Sequence, residues 1–125
     1  MPRLDVDIID LFEKTIDGSL EEADLKWKEE SSLTVIITSK GYPGEFKKGL
    51  EIRGIEELDE DIILYHNGTR YEGNNLLTNG GRVLSVTALG ESLEEARNKV
   101  YSNIDKITFN GMYYRKDIGK TIINK

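Results

Sequence analysis

The run Thr78-Asn-Gly-Gly-Arg-Val-Leu-Ser-Val-Thr-Ala-Leu-Gly90 constrains this chain more than any other part of it. A Gly80-Gly81 turn delivers one arginine, Arg82. A strand follows, apolar at Val83, Leu84, Val86, Ala88 and Leu89. Gly90 then opens into Ser92-Leu-Glu-Glu95, the cap signature of a helix. Turn, buried strand and capped helix in succession commit the segment to a sheet with a helix folded onto it. An arginine at the root of such a strand, on a turn without side chains, is placed to meet an anionic ligand. Spacing by itself leaves a second reading open, in which Arg82 is simply solvated.

The 125 residues suffice for one domain, or one domain with an appendage. Hydrophobic residues make up 38% and charged residues 32%, enough for one modest core. No apolar run is long enough to cross a bilayer, and the N-terminus carries no secretory signal pattern, so no membrane partner is expected. The absence of cysteine excludes disulfides and thiolate metal sites and fits a cytoplasmic protein. The lone histidine, His66, leaves too few soft ligands for zinc, and no metal site is assigned. The net charge of −6 is concentrated in the first half, and the bases are scattered. A nucleic-acid partner needs a basic face, so none is expected. Any anion bound by this chain should be small and met by one or two residues.

Periodicity gives the order of elements. Leu4, Ile8, Ile9, Leu11, Phe12 and Ile16 recur at helical spacing, Pro2 suits the first turn, and Gly18 closes the helix. Ser19 and Glu22 read as a capping box for a further short turn. Strands are expected over 33–38, 61–66, 75–78 and 82–89, with Ile52 on a short strand or bridge. Asn67-Gly68 reads as a tight hairpin turn with positive backbone angles, returning through Arg70-Tyr71. The main helix follows Ser92 and shows Leu93, Ala96, Val100 and Ile104 on one face. Ile107 and Phe109 add a last apolar segment, and residues 121–125 are expected to fray. The fold class is therefore α+β: a small antiparallel β-sheet module with one long packing helix, preceded by an N-terminal helix. The division expected is residues 1–32 as that helix plus a linker, and residues 33–125 as the module.

Little else carries chemistry. Ser85 and Ser92 have no histidine partner to activate them, and no catalytic residue is assigned. Gly41-Tyr-Pro-Gly44 could offer backbone amides to a phosphate, but it lacks the Lys-Ser/Thr ending of a P-loop and reads first as a turn. His66 beside its turn suits a structural hydrogen bond, and Arg115 with Asp117, two apart on a strand, suits an ion pair.

Five motifs occur in a specific order: Gly41-Tyr-Pro-Gly44, His66-Asn-Gly-Thr69, Thr78-Asn-Gly-Gly-Arg-Val-Leu84, Thr87-Ala-Leu-Gly90 and Tyr114-Arg-Lys-Asp-Ile-Gly119. Together they resemble the C-terminal part of the phosphoribosylamine–glycine ligases (glycinamide ribonucleotide synthetases) of the ATP-grasp superfamily. The resemblance runs from Pro2 to about Gly119. It implies an enzyme that joins glycine to 5-phosphoribosylamine with ATP and magnesium, giving glycinamide ribonucleotide, ADP and phosphate in purine biosynthesis. It also implies that residues 1–32 hold the last helix of the ATP-grasp domain plus a linker, and that 33–125 form the C-terminal antiparallel domain.

The family's magnesium-binding acids and its Arg-Phe-Gly-Asp-Pro-Glu signature lie just before the position of Pro2. The chain alone is accordingly expected to be inactive and to hold no cofactor, with ATP and magnesium bound by the parent enzyme. By the same likeness Arg82 faces the phosphate of phosphoribosylamine or glycinamide ribonucleotide, and Gly80 and Gly81 let the ligand approach. Gly41, Tyr42, Pro43 and Gly44 align with a second turn facing the cleft. The expected partners are that small ligand and the ATP-grasp domains of the same protein. Two alternatives carry the same fold: the C-terminal module of another ATP-grasp ligase, and a non-catalytic binding or assembly module.

Overall fold

The computed structural model describes residues 1–123. Its centre is a four-stranded antiparallel sheet built on the pairing of β1 (Ser31–Ser39) with β5 (Arg82–Gly90). β2 (Ile63–His66) lies on the outer edge of β5, and β6 (Met112–Tyr113) on the outer edge of β1, giving the order β2-β5-β1-β6. β3 (Thr69–Glu72) and β4 (Asn75–Thr78) form a separate hairpin.

β1 alternates as a half-buried strand should. Leu33, Val35 and Ile37 are buried, and Thr34 and Ile36 face the other way. Their partners Ala88, Val86 and Leu84 are also buried, so both central strands offer one apolar surface. Helix α2 (Leu93–Ile104) covers it with Ala96, Val100 and Ile104, each fully buried. Taking a side chain such as Val100 or Ile104 out of water stabilises the fold by about 1.5–3 kcal/mol. Ile107 and Phe109, just past the helix, close the core with Ile52 and Leu76.

The helix start follows the expected cap with one shift. The Ser92 hydroxyl accepts the Glu95 N–H at 3.1 Å, while the Glu95 carboxylate reaches back to the Glu91 N–H rather than to that of Ser92. The carboxylate lies below its usual range, first through that backbone N–H and then through Lys99. Deeper in α2, buried Asn103 accepts the Asp59 N–H and donates to both the Asp59 carboxylate and the Lys99 carbonyl. It anchors the loop before β2 to the helix.

Several local expectations are corrected. The first helix is shorter than its periodicity suggested: α1 (Ile8–Asp17) starts at an Asp7 cap, while Leu4 bridges to Trp27. Ser19 makes no side-chain cap, and Leu20–Glu22 is a 3₁₀ turn. Asn67-Gly68 is no hairpin: neither residue has a positive φ, and β2 and β3 pair with different strands. The true tight turn is at Gly73, φ 60°, between β3 and β4. Lys120–Ile123 forms a helical turn, α3, where fraying was expected; Asn124 and Lys125 lie outside the described residues. The α+β class with a sheet and one long packing helix is as expected.

Candidate functional site

Arg82 is the first residue of β5 and sits opposite Thr38. Simple alternation back from buried Leu84 would aim position 82 into the core under α2. The register instead passes from Ile37–Leu84 to Thr38–Arg82, leaving Val83 without a partner on β1. Val83 and Leu84 are consequently both buried, and Arg82 emerges on the outer face of the sheet. A one-residue bulge reverses the facing of whatever follows it, and this one turns a cation from the core to the surface. The Val83 carbonyl accepts the N–H groups of both Asn67 and Gly68 at 3.0 Å, which ties the bulge to the end of β2.

The preceding turn is held by its carbonyls. Gly81 O accepts the Ser39 N–H at 2.8 Å, and Gly80 O accepts the Ser39 hydroxyl at 3.2 Å. Among the described residues, the N–H groups of Gly80 and Gly81 donate to no protein acceptor. Gly81 and Gly68 are also packing positions. A Cβ on Gly81 would overlap the Tyr42 ring, and one on Gly68 would overlap the backbone of Gly80 and Arg82.

The structure thus joins three of the five motifs. Tyr42 lies on Gly81, and its own N–H donates to Ser39 O at 3.1 Å, so the second candidate turn leans on the first. Gly41 holds that turn with φ 99°, and the Tyr42–Pro43 peptide bond is cis. Tyr42 borders the Arg82 cavity, while Gly41, Pro43 and Gly44 stand outside it. Asn67 and Gly68 complete the wall opposite.

The cavity is open to solvent, has a volume of about 580 Å³ and is lined by Ile36, Tyr42, Asn67, Gly68, Asn79, Gly80, Gly81, Arg82 and Ser85. Its only charge is that of Arg82, and among the described residues no carboxylate pairs with that guanidinium. On the other side of Arg82 lies a more apolar hollow of about 320 Å³ bordered by Tyr113, Tyr114 and Ile118. Arg115 also borders it, but a two-pronged contact to Asp117 engages that guanidinium. The hydrogen bond raises the pKa of Arg115 and lowers that of Asp117, so both stay charged. A third cavity, near the end of β1, mixes Lys40 and Lys47 with Glu45. The Arg82 cavity, as lined by the described residues, combines an uncompensated cation with free amide donors and no acid, which is what a small anion requires.

His66 faces away from this chemistry, with its Nδ1 at 2.9 Å from the Thr69 hydroxyl. From sequence, Asn67 reads only as a turn residue and Ser85 only as an unactivated serine, although the first lies in a recognised motif. The Asn67 amide donates to the Ser85 hydroxyl at 2.6 Å. Serine in a strand carries no signal until the register places it beside Arg82.

The family model described as phosphoribosylglycinamide synthetase, C domain, matches residues 32–121. The chain belongs to this family. It is 48% identical over 118 residues to a phosphoribosylamine–glycine ligase of Caldanaerobacter subterraneus subsp. tengcongensis, covering 94% of this chain and 28% of the relative. It is 43% identical to the bifunctional purine biosynthetic protein purD of Dictyostelium discoideum, covering 99% of this chain and 16% of that protein. The crystal structure of a Thermotoga maritima phosphoribosylamine–glycine ligase superposes with a TM-score of 0.68 at 31% identity, over 85% of this chain and 27% of that one. The chain therefore spans little more than a quarter of the ligases it matches. Its α+β architecture is that of the synthetase C domain.

Proposed function

We propose that this chain is the C-terminal, substrate-side domain of a phosphoribosylamine–glycine ligase, and that Arg82 receives the phosphate of 5-phosphoribosylamine or of the product glycinamide ribonucleotide. The observation that carries the reading is the Arg82 cavity itself: among the described residues, one unpaired guanidinium, two free glycine amides and no carboxylate, on a chain of this family. A charge-assisted contact of this kind contributes about 1.5–3 kcal/mol to binding. Its role is to hold and orient the sugar phosphate so that the amine meets an activated glycine carboxylate.

The activation belongs to the longer protein. On the likeness to the ligases, magnesium and ATP are held in this reading by the ATP-grasp domains of that longer protein. In this reading residues 1–32 are the last helix of the ATP-grasp domain plus a linker, and 33–125 are the C-terminal domain. Exposed Ile9, Phe12 and Ile16 on α1, a helix with no buried residue, support that division. Gly80, Gly81 and Tyr42 shape the Arg82 turn, and Gly41, Pro43 and Gly44 hold Tyr42 in place.

Amide-resolved NMR titration of this chain with glycinamide ribonucleotide tests the assignment. Shifts centred on Gly80, Gly81 and Arg82, absent in Arg82→Ala, are expected. Shifts centred elsewhere, or unchanged in the variant, would contradict it.

A further inference from the structure

The outer-face cavity holds a second polar device that the phosphate contact does not use. Ser85 lies on the same face of β5 as Arg82, and the two stand opposite Ile36 and Thr38, two residues apart on β1. At about 3.3 Å per residue their backbones are roughly 7 Å apart. Ser85 is only 8% exposed, and among the described residues its hydroxyl has one hydrogen-bond partner, the Asn67 side chain. The amide nitrogen can only donate, so the Ser85 oxygen accepts and its own O–H proton is left over. The Asn67 carbonyl oxygen is left over too, since the donation to Ser85 is the only hydrogen bond of that side chain among the described residues. Both residues line the cavity that Arg82 enters. Turning the amide over only exchanges the roles: Ser85 then donates, and the freed NH₂ faces the cavity. Either way the pair offers the cavity hydrogen-bonding capacity that no protein group among the described residues consumes.

We propose that Asn67 and Ser85 form a hydroxyl-recognition subsite next to Arg82, which makes the cavity selective for a polyhydroxylated phosphate over a bare one. A donor and an acceptor side by side suit a sugar hydroxyl, which both donates and accepts. The roughly 7 Å between the Ser85 and Arg82 backbones is of the order of the span between the phosphate and the ring hydroxyls of a pentose 5-phosphate. The inference rests on the reading of Arg82 as the phosphate contact.

The test uses this chain with two probes, inorganic phosphate and ribose 5-phosphate, titrated against wild type, Ser85→Ala, Asn67→Ala and Arg82→Ala. Wild type should prefer ribose 5-phosphate by about tenfold, one hydrogen-bonded contact's worth. Ser85→Ala and Asn67→Ala should each remove most of that preference and leave the affinity for inorganic phosphate unchanged. Asn67 is exposed, so its variant reports even where Ser85→Ala fails to fold. A preference that survives in Asn67→Ala, or an equal loss for both probes, would overturn the subsite and leave the role of Arg82 standing. Binding of both probes that is untouched by Arg82→Ala, or no binding at all, would overturn both.

Discussion

The ring of Tyr42 fills the space that a side chain on Gly81 would need. One contact therefore couples the Gly41–Gly44 turn to the turn that presents Arg82, and both end at Ser39 through hydrogen bonds to its backbone or side chain. Gly81→Ala should push the ring aside, destabilise the chain by about 1–3 kcal/mol and weaken anion binding. Tyr42→Ala should remove the clash, so the double variant should lose less stability than the two single losses added together. Denaturant unfolding of the four proteins checks this, and strict additivity would show that the contact is not strained.

Asn103 is fully buried on α2 and spends its amide on Asp59 and Lys99. Asn103→Ala should cost about 1–3 kcal/mol, because the Asp59 N–H and the Lys99 carbonyl lose their partner. Amide exchange should rise first around Asp59 and Asp61, ahead of the central strands.

Tyr114 donates its hydroxyl to Asp105 at 2.7 Å. Partial burial, and then that carboxylate, raise its pKa from 10.0 to about 12. The folded state thus keeps a proton that the unfolded chain gives up near pH 10. The resulting stabilisation is full below pH 10 and is lost as the pH rises toward 12. The melting temperature should fall across that window in wild type, and less steeply in Tyr114→Phe.

Helix α1 buries no residue, and its contacts are mainly with the neighbouring Leu20–Glu22 turn. Removing residues 1–28 should leave the melting temperature of the remainder nearly unchanged. It should also reduce self-association in sedimentation, since Ile9, Phe12, Ile16 and Trp27 are exposed. A large drop in melting temperature would mean that the segment is part of the core.

How much was legible beforehand depended on whether the decisive interaction was local. β1, β5 and α2 follow from β-branched alternation, the Ser92 cap and the Ala96–Val100–Ile104 face, all short-range patterns. The five motifs carried the family. The Asn67-Gly68 turn was misread because a dipeptide preference gave way to a long-range demand: both amides serve the Val83 carbonyl. The bulge was hidden for the same reason. Adjacent Val83 and Leu84 could be one inward and one outward residue, and only pairing with β1 buries both. Asn67 and Ser85 were passed over because a serine and an asparagine become a pair only when β2 meets β5.

On the proposed reading, Arg82 meets the phosphate of the sugar substrate and takes no part in nucleotide binding. Steady-state kinetics of Arg82→Ala in the intact ligase that carries this domain tests it most directly. A KM for phosphoribosylamine raised roughly 10- to 100-fold is expected, as for the loss of one charge-assisted contact, with the KM for ATP nearly unchanged. An unaltered KM for phosphoribosylamine, or an equal rise for ATP, would contradict it.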